Sequence, residues 1–77
     1  MKILIRKLKE AENPIHPNNI EEGYETTREI HESWFKEPTI GERFNVGTFS
    51  TSIVTEIIDP CRFKTLNSLY YWKILSL

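Results

Sequence analysis

Cysteine is nearly absent from this chain of 77 residues, with Cys61 standing alone. An intramolecular disulfide is therefore excluded, and with it the staple on which small secreted scaffolds depend. A reducing, cytoplasmic setting is the expectation. Glycine is scarce too: Gly23, Gly41 and Gly47 are isolated from one another, which excludes a glycine-rich phosphate loop. Long apolar runs are missing. The opening MKILIRKLKE holds only Ile3-Leu4-Ile5 before charge resumes, too little for a secretory signal and far short of the roughly 20 apolar residues that span a bilayer. A soluble, unprocessed protein is expected.

What remains is enough for one small domain over residues 1–77, in which a chain of this length buries only about 60% of its unfolded surface. The net charge of −1 conceals a segregation. Residues 1–10 carry Lys2, Arg6, Lys7 and Lys9 against Glu10, whereas residues 11–42 set eight glutamates against Arg28 and Lys36. The remainder is basic again, with Arg43, Arg62, Lys64 and Lys73 against Glu56 and Asp59. If the two ends pair in space, a basic face and an acidic region result, and such a surface steers charged partners.

Residues 2–9 read as a strand whose middle is apolar on both sides, as expected where a small sheet curls into a barrel. The stretch AENPIHPNNIEEG, residues 11–23, reads as a loop because Pro14 and Pro17 cannot donate to a ladder, with a 3₁₀ turn near Asn19 to Glu22 and with Ile15 and Ile20 as anchors. YETTREIHESWFKE, residues 24–37, supports two readings. As a helix over about 26–36 it has a Thr26 to Glu29 capping box and the pairs Arg28 to Glu32 and Glu32 to Lys36. As a strand it places Tyr24, Thr26, Ile30 and Trp34 on one face. The β character of everything downstream favours the strand. Phe44 and Val46 share a strand face before Gly47, and the β-branched run of TFSTSIVTEII makes the next strand, closed by the Asp59-Pro60 turn.

RFKTLNSLYYWKIL predicts a hairpin about a two-residue Asn67-Ser68 turn, with Leu66 facing Leu69, Thr65 facing Tyr70, Lys64 facing Tyr71 and Phe63 facing Trp72. Phe63, Thr65, Tyr70, Trp72 and Ile74 then face the core. Arg62, Lys64, Tyr71 and Lys73 face away, with Lys64 over Tyr71 as a cation-π pair. The hydroxyl-rich segments are thus hairpin strands rather than catalytic loops. The runs PTIGERF, TSIVTEI and FKTLNSLYYW together resemble small uncharacterised bacterial and phage proteins of the SH3-like β-barrel type. That resemblance covers about residues 20–75, implies a fold and a phage-related origin, and brings no catalytic motif with it.

Reactive chemistry finds little support. His16, His31 and Cys61 lie at spacings that match no metal-site pattern, and Cys61 has no histidine near it in sequence to make it a nucleophile. The glutamates are plentiful, but acid-base work needs two carboxylates in contrasting environments within a cleft, which so short a chain can hardly enclose. No enzyme activity, metal or cofactor is expected.

The fold expected is an all-β, five-stranded antiparallel SH3-like barrel, with a β-meander plus one helix as the alternative. Its core comprises Leu4, Ile30, Trp34, Phe44, Val46, Ile53 or Val54, Ile57 or Ile58, Phe63, Tyr70, Trp72 and Ile74. The function expected is non-catalytic binding of a protein that has a basic surface, through a sheet edge or through the acidic residues Glu21, Glu22, Glu25, Glu29 and Glu32. Size, acidity and the resemblance together suggest a phage-encoded inhibitor that blocks a host protein such as a defence nuclease. One alternative is nucleic-acid binding through Arg62, Lys64, Tyr71 and Lys73, extended by Lys2, Arg6 and Lys7. Another is a structural phage component that self-associates, as a dimer for example, through Leu66, Leu69, Leu75 and Leu77.

Overall fold

A computed structural model describes residues 1–10 and 23–76. The expected loop over 11–22, with His16, Glu21 and Glu22, lies outside the described residues, as does Leu77. The protein is all-β. Its strands are β1 (Lys2–Glu10), β2 (Glu25–Glu29), β3 (Arg43–Val46), β4 (Phe49–Asp59), β5 (Arg62–Thr65) and β6 (Ser68–Ser76), with one 3₁₀ turn at Glu32–Trp34 and no α-helix among the described residues. They form one antiparallel sheet in the order β2-β1-β6-β5-β4-β3, curled into a half-barrel. There are six strands rather than five, because β2 pairs with β1 and β3 pairs separately with β4. The end strands β2 and β3 are not hydrogen-bonded to each other.

The inner surface is aromatic. Phe44 lies with its ring centre 5.1 Å from Phe63, 5.8 Å from Trp72 and 6.4 Å from Phe35. Phe63 in turn stacks on Tyr70 at 5.5 Å, and Phe49 meets Tyr70 edge-on at 6.1 Å. Such pairs add about 0.5–1.5 kcal/mol each beyond area burial, which matters in a core this small. Ile3, Ile5, Val46 and Val54 complete it.

Strand β1 turns its other face inward from the one expected. Ile3, Ile5 and Lys7 are buried, and Leu4 is only half-buried among outward Lys2, Arg6 and Leu8. The two β-branched isoleucines fill the concave side and Lys7 enters with them, leaving Leu4 and Leu8 on the outer face. In β4 the pairing slips between Arg43 and Asn45, between Val54 and Glu56, and between Ile57 and Asp59. Each bulge changes which parity faces in, so Phe49, Thr51 and Val54 are buried while Ile53, Ile57 and Ile58 are exposed. Ile74, expected in the core, is also exposed although it pairs with buried Ile3.

The β5–β6 hairpin keeps its predicted faces but not its predicted pairs. Arg62 faces Tyr71, Phe63 faces Tyr70 and Lys64 faces Leu69. This is a shift of two residues, which preserves parity and so leaves Phe63, Thr65, Tyr70 and Trp72 inside. The turn is again two residues but lies at Leu66 and Asn67 rather than Asn67 and Ser68, and the Thr65 hydroxyl braces it by accepting from the N–H groups of Asn67 at 3.2 Å and Ser68 at 3.1 Å. Thr51 does comparable work opposite β3: its Oγ1 accepts from Phe44 N–H at 3.1 Å and donates to the Ser52 carbonyl at 2.7 Å, bridging a bulge.

Candidate protein-binding surface

The segment of residues 24–37 divides into two parts. Glu25–Glu29 is strand, and the chain then turns through Glu32–Trp34. His31 caps that turn, its Nδ1 accepting from Ser33 N–H at 3.2 Å. Beyond the turn, Phe35 points inward, with its ring 5.5 Å from that of Trp72. Trp34 therefore faces out and is 80% exposed, contrary to its expected place in the core. The 3₁₀ turn ends at Trp34 and the backbone becomes extended at Phe35, where the ring turns to the core. The pair of adjacent aromatics is the signal in the sequence that one of them can supply the core contact without the other.

Trp34 borders a hollow of about 490 Å³ that is also lined by Glu29, Ile30, His31, Asn45 and Gly47. It lies where the ends of β2 and β3 come together, and a Cβ placed on Gly47 would sit 3.6 Å from the Glu29 carbonyl. No cation among the described residues lies within ion-pair distance of Glu29 or Glu32. Glu25 is different, because Arg6 of β1 binds its carboxylate. The glutamates named from sequence thus differ in their partners: Glu25 is bound by Arg6, Glu29 lines the hollow beside Trp34, and Glu32 lies in the adjoining turn.

The outer face of the sheet gathers the alternative set. Sheet register aligns Glu25, Arg6, Tyr71, Arg62 and Asp59 in one row across β2, β1, β6, β5 and β4. Tyr71 lies between two arginines, so Arg62 rather than Lys64 is its neighbour on β5. A second row runs Lys9, Leu69, Lys64 and Glu56, while Lys73 lies beside Leu4. Lys7 does not extend this patch, being buried on the inner side. A basic centre with acidic flanks results, and both arginines of the first row are held by carboxylates. Asp59 receives Arg62 Nε at 2.7 Å and the N–H groups of Cys61 and Arg62 at 2.9 Å. The Arg62 side-chain bond, followed by the Cys61 N–H, holds the Asp59 carboxyl below its usual value.

A smaller groove of about 80 Å³, with Pro38, Ile57 and Pro60 among its walls, reaches Phe63 and Trp72 at the end of the barrel. Cys61 is exposed in the neighbouring turn. Among the described residues no three of His, Cys, Asp and Glu assemble as a metal-ligand group, and no helix is long and apolar enough to cross a membrane. No family model, characterised protein or solved structure matches the chain.

Proposed function

We propose that this protein is a non-catalytic module that binds another protein at the corner formed by Trp34, Glu29 and Glu32. The exposure of Trp34 carries the reading. A tryptophan left in water beside a ready-made hollow is the residue type most enriched where binding energy concentrates, and nothing in the fold requires it there. The carboxylates of Glu29 and Glu32, with no cation in ion-pair range among the described residues, favour a partner with a basic surface. The further step to an inhibitor of a host protein, such as a defence nuclease, draws on the resemblance to small phage barrels and on the acidity of this region.

A second reading, nucleic-acid binding on the outer face, is favoured by one observation: Tyr71 sits between Arg6 and Arg62 with Lys64 and Lys73 nearby. Commitment of both arginines to Glu25 and Asp59 counts against it, since backbone phosphates are bound by cations that can be released to them. Capture from host lysate, with and without nuclease, separates the two. Protein binding at the corner predicts a stoichiometric protein that survives nuclease and is lost with Trp34→Ala or Glu29→Lys. Capture that is nuclease-sensitive and lost with Tyr71→Ala instead overturns it.

A further inference from the structure

The edge of β2 has a defined polarity. Ile30 N–H donates to the Met1 carbonyl and Lys7 N–H to the Tyr24 carbonyl, so in this antiparallel register Thr26 and Arg28 also direct their backbone groups toward β1. The N–H and C=O groups of Glu25, Thr27 and Glu29 therefore point the other way, and no strand among the described residues pairs with them. Of these acceptors, the Thr27 carbonyl receives Arg28 Nη1 at 3.0 Å. The Glu29 carbonyl faces Gly47. Glu25 keeps both groups toward the edge, and Thr27 and Glu29 keep their donors.

We infer that β2 is the docking edge for an extended, arginine-bearing segment of a partner protein, which adds as a further strand and places an arginine side chain in the hollow beside Trp34. The inference rests on protein binding at that corner and specifies its mode. Strand addition takes affinity from main-chain hydrogen bonds and specificity from pockets for alternate side chains. Here the hollow at the Glu29 end of the edge is such a pocket. Its tryptophan offers a ring face to a guanidinium, and Glu29, which lines the hollow, offers a carboxylate to its forked donors. Arg28 leaves β2 on the half-buried side, but its guanidinium reaches the Thr27 carbonyl at the edge, a bond that an incoming strand has to displace. A second copy of this chain is disfavoured by the same charges. Antiparallel β2 to β2 pairing about Thr27 sets Glu25 of one copy opposite Glu29 of the other, and like charges directly opposed destabilise a sheet pair.

The probe is a short capped peptide of alternating valine and arginine, titrated into the full chain while the amides of Glu25 and Thr27 and the Trp34 indole are followed by nuclear magnetic resonance. These signals are expected to move together. Affinity is expected to fall at least about tenfold with glutamate in place of arginine, with Glu29→Lys, and with one of two versions N-methylated on alternate amides. Equal binding by both N-methylated versions overturns strand addition, and so does the absence of any shift at Glu25 and Thr27. Shifts that instead follow protein concentration without peptide assign the edge to a second copy. If lysate capture still depends on Trp34 when the peptide fails, protein binding stands and only its mode is wrong; if Trp34→Ala leaves capture intact, the reading beneath it fails.

Discussion

Trp34 and Phe35 are neighbours with opposite fates, one exposed and one packed against the core. Truncating an exposed side chain leaves stability within about 0.5 kcal/mol, whereas emptying a buried aromatic site costs about 3–5 kcal/mol. Urea unfolding of Trp34→Ala should therefore match the parent, and Trp72→Ala, whose parent side chain is 7% exposed, should lie at or beyond the limit of folding. A collapse of Trp34→Ala would show that this residue is core after all. Thr51→Val keeps shape but orphans the Phe44 N–H, so a loss of about 1–3 kcal/mol is expected from the shift in urea midpoint. Asp59 adds a pH dependence. Its folded value lies below the usual 3.8, so its stabilisation is complete above that value and is lost as pH falls through the folded one. Asp59→Asn keeps an acceptor for the turn N–H groups but removes the charge. Its stability should fall short of the parent's at neutral pH and converge with it in strong acid, as urea midpoints across the acid range would show.

At the scale of elements, what was legible in the sequence was the set of strands and the faces of the β5–β6 hairpin. Phe63, Thr65, Tyr70 and Trp72 alternate with charged residues, and parity survives the two-residue change of register. The face of β1 was not legible, because Leu4-Arg6-Leu8 and Ile3-Ile5-Lys7 each mix two apolar residues with one cation. Nor was that of β4, where bulges defeat simple alternation. The β3–β4 connection shows what a single glycine settles. Val46 pairs with Phe49, leaving a two-residue loop in which only Gly47 has positive φ, at 59°. That is the pattern of a type II′ turn. Gly47→Ala puts a Cβ in the left-handed region at a cost of about 1–2 kcal/mol, read as a lower urea midpoint with an unchanged slope. Unchanged stability would mean that the turn relaxes into another type.

For the whole molecule, the consequence of the topology is an incompletely closed barrel. Six strands leave β2 and β3 as separate edges that approach each other near Glu29 and Gly47, and the exposed tryptophan stands at that point. The acidic region read from composition has a more local form: Glu25 pairs with Arg6, while Glu29 and Glu32 have no cation within ion-pair distance among the described residues. No sequence pattern distinguishes these roles, since all three are exposed glutamates separated only by their cross-strand neighbours. Residue-resolved hydrogen exchange on the free protein tests the open edge most directly. Amides of Thr26 and Arg28, bonded to β1, should be protected, while those of Glu25 and Thr27 exchange as open amides and become protected on adding the arginine-valine peptide. Protection of Glu25 and Thr27 equal to that of Arg28 in the free protein would mean that the edge is already occupied, and the Trp34 corner would then not be the end of a docking strand.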